Sequence, residues 1–211
     1  MDRRRRSRPA RPAPRRLTIG PADLAVTIKE LLSGDEPRAE SAATYLPAFG
    51  RPALQALLAL AASPQADSRW WAVRALAGFS EADAQACLIR CLEDLDASVR
   101  QCAALGLRHH PTGDAIPALA RAMADDDILV SRLAADALAA CGAMAVDHLQ
   151  KALSSEHPRV RIEAARALAA IRDPSAIPAL FAALRDPTPL VEHWASRGLE
   201  ALGQGMVYFK P

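Results

Sequence analysis

The side chains with the most chemistry to offer in this sequence are four cysteines, five histidines, three tryptophans and a long series of arginines. Cys87 and Cys91 stand four residues apart, which puts two thiols on one face of a helix, and Cys102 follows in the next apolar stretch. A zinc site needs four sulfur or nitrogen ligands, and no second Cys or His pair completes the set. His110 and Cys141 occupy matching places in successive segments. Two ligands on neighbouring helices, with axes roughly 8 to 10 Å apart, do not make a metal site either. The four cysteines all fall inside apolar helical patterns, where free Cys behaves as a small buried residue. That usage suits a reducing compartment, so the cytoplasm is the expected location, and no cofactor is expected.

The tryptophans and arginines suggest binding instead. Trp70, Trp71 and Trp194 stand near Arg74, Arg132, Arg166, His193 and Arg197 once the helical register is drawn. Trp and Arg combine large contact area with directional, charge-assisted contacts, which is why they dominate binding hot spots. A groove built from them would suit peptides with acidic or aromatic side chains. The competing reading is that each Trp packs between neighbouring segments and each Arg pairs with a carboxylate on the next helix.

The elements that must position these side chains repeat along the chain. Ala and Leu dominate the apolar content and aromatic residues are only 4%, so helices are favoured over strands. One pattern recurs from about residue 38 to 202. It reads Ser68-Arg69 to Ala75-Leu76, Val99-Arg100 to Gly106-Leu107, Val130 to Ala137-Leu138, Val160-Arg161 to Ala167-Leu168 and Val191-Glu192 to Gly198-Leu199. A weaker copy ends in Tyr45-Leu46, so the anchoring leucines are spaced by 30, 31, 31, 30 and 31 residues. A second helical set alternates with it, clearest in Ile116-Pro117-Ala118-Leu119 and Ile177-Pro178-Ala179-Leu180. Pro in a first turn loses no hydrogen bond, and the aspartates at 94, 96, 125 to 127 and 186 sit in turns where they can cap the next helix. The predicted hairpins span 21–49, 51–79, 81–110, 113–141, 143–171 and 174–204. The first helix should bury Leu24, Ile28, Leu31 and Leu32 and end at Gly34.

Within each second helix, the places four, eight and eleven residues after the repeat's Val share one face and form the core. Places two and six point away from it. Place two holds Trp70, Arg132 and His193, and place six holds Arg74, Arg166 and Arg197, with Trp71 and Trp194 beside them at place three. Arg69, Arg100 and Arg161 belong to the repeat's own pattern next to the turn aspartates and read as structural. Arg90, Arg121 and Lys151 read as a solvated outer face.

These motifs resemble HEAT repeats, especially the short bacterial form related to phycocyanobilin-lyase repeat proteins, over about four-fifths of the chain. The resemblance implies an all-α fold, a right-handed α-α superhelix of about six helical hairpins, with the second helices lining the concave side. Ser131 and Glu192 depart from the repeat's Arg, and Pro47 interrupts the first copy. The implied function is a non-enzymatic scaffold binding a protein or peptide on the concave surface. Enzymatic relatives of this architecture fit less well. Deoxyhypusine hydroxylase needs repeated His-Glu iron ligands, whereas this chain has only the reversed Glu156-His157 and Glu192-His193. No residue marks a bilin pocket for an accessory lyase. A HEAT-like DNA glycosylase would need Asp136 near a target base, and no motif supports that role.

Charge divides the chain in two. Residues 1–16 carry eight arginines against one aspartate, a local +7 within a total of +2, which leaves −5 on the remainder. Residues 1–16 are therefore expected to be a disordered Arg/Pro-rich tail, and 17–211 a single solenoid domain. Such a tail suits nucleic acid or an anionic surface, or serves only to solubilise. A mildly acidic body argues against wrapping a duplex. Every apolar run is interrupted by charge short of a membrane span, and no secretory signal follows the basic start. Met206 to Phe209 are expected to fold over the last hairpin.

Overall fold

The computed structural model describes residues 21–204. The Arg-rich tail and the Met206–Phe209 cap lie outside the described residues. Twelve α-helices among the described residues pair into six hairpins. The first three are α1 (Pro21–Leu31) with α2 (Glu36–Tyr45), α3 (Arg51–Leu60) with α4 (Ala66–Leu76), and α5 (Ala82–Cys91) with α6 (Ala97–His109). The other three are α7 (Ile116–Ala122) with α8 (Ile128–Ala140), α9 (Val146–Ala152) with α10 (Pro158–Ile171), and α11 (Ile177–Ala183) with α12 (Pro189–Ala201). The described residues contain no strand. All six hairpins fall where the leucine spacing placed them.

Local sequence explains the boundaries. Asp96 accepts from the amides of Ser98 and Val99 and so caps α6, and Asp127 caps α8 through the amide of Val130. Pro47 ends α2 early, and the chain continues as a 3-10 turn over Leu46–Phe49. Gly50 then starts α3 from φ 62° and ψ −138°, a conformation open essentially to glycine alone.

Two leucine columns form the core. Leu46 just after α2 and Leu76, Leu107, Leu138 and Leu168 on the later second helices have no exposure, and neither do Leu57, Leu88, Leu119, Leu149 and Leu180 on the first. Truncating one of these to Ala costs about 2 to 5 kcal/mol through lost burial and the cavity left behind. Leu31 joins this core, but Leu32 does not: it is 41% exposed, because the terminal hairpin has a neighbour on one side only. The second helices pack on one another along the whole array more closely than the first helices do, so the stack curves towards the second-helix layer. Small residues permit that approach. A Cβ on Gly198 would stand 3.2 Å from the Cα of Ala169 in α10.

Arginine clamps hold successive hairpins in register. Arg69 grips Asp94 of the next hairpin through two bonds of 2.8 and 2.7 Å, and Arg100 grips Asp125 at 2.8 and 2.9 Å. Arg161 grips Asp186 at 2.7 and 3.2 Å. Each arginine also donates to two carbonyls of its own turn, as Arg69 does to Ser63 and Pro64. Bidentate pairs of this kind fix orientation as well as distance. The hydrogen bonds from Arg69 and Arg161 hold the carboxyls of Asp94 and Asp186 below the ordinary range.

Candidate partner-binding surface

The inner layer of second helices carries the tryptophans and arginines singled out above, but it does not treat them alike. Trp70 is half-buried on α4, while the adjacent Trp71 is only 7% exposed and belongs to the core. Their rings meet edge to face with centroids 4.7 Å apart. This aromatic pair forms one wall of an open cleft of about 590 Å³ that spans the N-terminal ends of α2, α4 and α6. Gly34, Glu36, Ala66, Asp67, Asp96 and Ser98 complete its lining. Glu36 and Asp67 are exposed in first helical turns, and Asp96 is the cap of α6. None of these three carboxylates has an ion-pair partner among the described residues.

Two of the four arginines are already occupied. Arg74 pairs with Glu40 of α2. Arg166 donates to Asp136 of α8 at 2.7 Å, to Glu163 at 2.6 Å and to the carbonyl of Arg132 at 3.3 Å. The Arg74–Glu40 and Arg166–Asp136 pairs cross hairpins and fasten α2 to α4 and α8 to α10, while Glu163 holds Arg166 from within α10. Asp136 stands one repeat before Arg166 at the same place of the pattern, which is the sequence signal for this pair. Arg132 and Arg197 are exposed and have no ion pair among the described residues. His193 is exposed and lies edge to face against half-buried Trp194, with centroids 5.3 Å apart. The layer thus has an acidic, aromatic end near α4 and, towards its other end, one unpaired arginine on each of α8 and α12, with exposed Leu105 of α6 between them.

The other chemistry considered from the sequence is placed elsewhere. Cys87, Cys91, Cys102 and Cys141 are free and buried. Burial pushes the Cys102 thiol up to about 12 and raises that of Cys141. The neighbouring thiols of Cys87 and Cys91 shift each other in opposite directions, lowering Cys87 and, together with burial, raising Cys91. His110 is half-buried at the end of α6, and Cys141 makes a weak contact of 3.9 Å to the carbonyl of Thr112. Among the described residues no group of three or more His, Cys, Asp or Glu is placed to hold a metal ion. Glu156 and His157 lie in the turn before α10, and Glu192 and His193 lie exposed on α12. No helix among the described residues is long and apolar enough to cross a membrane.

Helical hairpins stacked in register, with a continuous core and two terminal faces, define an α-solenoid. Its particular kind follows from the comparison with known families: the chain belongs to the HEAT-repeat family, whose profile matches residues 54–139 and again 122–203. No curated protein matches the sequence. Among solved structures, the complex of CpcE and CpcF of phycocyanin lyase from Nostoc sp. PCC7120 is similar. There the identity is 26% and the TM-score 0.52, over 94% of this chain and 82% of that one. A designed armadillo repeat protein in complex with the peptide (KR)4 shares the fold at 21% identity and a TM-score of 0.51, over 85% of this chain and 99% of that one. Human deoxyhypusine hydroxylase shares it at 23% identity and a TM-score of 0.50, over 87% and 75% of the two chains.

Proposed function

We propose that this chain is a non-catalytic scaffold that binds a protein or peptide segment along its second-helix layer. The observation that carries the reading is Trp70, a large indole held half-buried at the wall of an open cleft, where a partner's side chain would complete its burial. Arg132 and Arg197 at the other end supply charge-assisted donors that the fold itself leaves unused, and His193 offers a ring nitrogen beside Trp194. The segment that fits this layer presents a cationic side chain at the Trp70 end and carboxylates at the Arg197 end. Acidic partners alone fit less well than the arginine count suggested, because Arg74 and Arg166 are neutralised within the fold. The carboxylates around Trp70 also repel phosphate, which disfavours nucleic acid. The similar CpcE–CpcF structure is itself a complex of two proteins, which supports partner binding by this architecture.

The test is quantitative affinity capture from the native host with the full chain and with Trp70→Ala and Arg197→Glu variants. A hot-spot residue contributes about 2 kcal/mol, so specific partners should fall about thirtyfold with Trp70→Ala. Circular dichroism should stay unchanged. Identical partner profiles for wild type and both variants would remove this surface as the binding site.

A further inference from the structure

Acidic side chains and an indole ring converge in the Trp70 cleft, and the same chain carries its opposite in residues 3–16. We propose that this arginine-rich segment docks in the cleft, placing a guanidinium against the Trp70 ring and among the carboxylates of Glu36, Asp67 and Asp96. The inference rests on the cleft as a docking site but commits to a different occupant from the partner proposed above.

Charge complementarity is the first argument. The three carboxylates stand at the N-terminal ends of α2, α4 and α6, where each helix contributes about +0.5 of an elementary charge. The carboxylates outweigh the helices, so about −1.5 remains at the cleft mouth with no ion pair among the described residues to cancel it. Asp96 uses one oxygen, Oδ1, for the amides of Ser98 and Val99, which leaves Oδ2 for a ligand. Against this stand eight arginines in residues 1–16. Arginine suits the site better than lysine, since its planar guanidinium stacks on an indole while bonding to carboxylates at its edge.

Reach is the second argument. Helix α1 has 11 residues and is therefore ~16 Å long, running from Pro21 towards the turn whose Gly34 lines the cleft. The five-residue stretch from Arg16 to Pro21 spans ~17 Å when extended. Arg16 and every arginine before it can thus return along α1 to its far end. A segment of Arg, Pro and Ala brings little apolar surface of its own, so the contact relies on charge and on guanidinium–indole stacking and weakens with salt.

Tryptic cleavage after Arg15 and Arg16 in the full chain reads this out. At low salt, cleavage should be about fivefold slower in the wild type than in the Glu36→Gln/Asp67→Asn double variant or in Trp70→Ala. The difference should vanish at ~1 M salt, where the screening length is ~3 Å. Both substitutions in the double variant are isosteric and exposed, so the fold is preserved, as circular dichroism will check. Equal cleavage rates at low salt would overturn the proposal, and so would protection that grows with protein concentration, which marks docking between copies. A failed protection experiment leaves the affinity-capture result intact. Protection without any Trp70-dependent partner would mean that the cleft serves the tail alone.

Discussion

The two ends of the second-helix layer are built from the same repeat yet present opposite chemistry. At the α2–α6 end the one arginine at place six, Arg74, is consumed by Glu40, and the cleft beside Trp70 is lined by Glu36, Asp67 and Asp96. At the α8–α12 end Arg166 is consumed by Asp136 and Glu163, but Arg132 on α8 and Arg197 on α12 stand exposed, and His193 is exposed against Trp194. The difference teaches that the polarity of a solenoid surface is set by which charges are left over after pairing between hairpins, not by how many arginines a helix carries. Paired arginines hold the stack together, and unpaired charges are what a partner meets.

The largest effects should separate these two kinds of charge. Asp94 has a side chain only 12% exposed and answers Arg69 across hairpins, so Asp94→Ala leaves a guanidinium uncompensated and should cost about 2 kcal/mol. Arg132→Ala, at an exposed and unpaired position, should stay within about 0.5 kcal/mol of the wild type. Urea unfolding midpoints compare the two. Equal losses would erase the distinction between clamp and surface.

Acid should sharpen the same contrast. The hydrogen bonds from Arg69 and Arg161 hold the carboxyls of Asp94 and Asp186 below their unfolded value of ~3.9. Their contribution is therefore complete above that value and is lost as pH falls through the lower folded values, when both states become protonated. Urea midpoints measured from pH 6 to pH 2 should drop steeply at the acid end. An Asp94→Asn variant should start lower and fall less. A parallel curve for that variant would mean that the clamp's charge contributes nothing.

Much of this architecture is legible in the sequence. The leucine spacing located all six hairpins, since a 30- or 31-residue period leaves a helical pair no freedom in where its core face lies. Arg69, Arg100 and Arg161 were also readable as structural, because each repeats beside a turn aspartate. The candidate site was less legible for a physical reason. A sequence gives the direction of a side chain from its helix, but pairing depends on the offset between helices. Glu40 therefore reaches Arg74 across place two and place six, and Asp136 reaches Arg166 at equal places. The burial of Trp71 against the exposure around Trp70 turns on a rotation of one residue about α4, at the boundary between core and groove. Asp96 reads from the sequence only as a cap, and the cleft it shares with Glu36 and Asp67 emerges only when three hairpins are stacked.

The smallest effect concerns the one gap among the later clamps. Where Arg69, Arg100 and Arg161 recur, α8 has Ser131, whose hydroxyl donates to the carbonyl of Met123 at 2.7 Å. The turn that should answer it has Ser155, which still accepts from the amide of His157 at 3.2 Å, as Asp94 does from Asp96 at 2.9 Å. Both partners are lost together. The first hairpin repeats this, with Ala39 at the arginine's place and Ser63 in the following turn. Arg and Asp thus occur as a unit, which is what a bidentate bond requires, since either alone leaves a charge without its partner. In the gap, Arg159 of α10 donates instead to the carbonyl of Asp126 at 3.2 Å, a single bond from an exposed turn. Ser131→Arg alone should be neutral or destabilising, because Ser131 is fully buried and the answering turn has Ser155 where the other clamps have an aspartate. Ser155→Asp alone should change little. Together they should show a favourable coupling of ~1 kcal/mol in a double-mutant cycle, with a net gain no larger than that. Zero coupling would mean that α8 and α10 are offset differently from the other pairs, so that the missing clamp follows from the helix geometry.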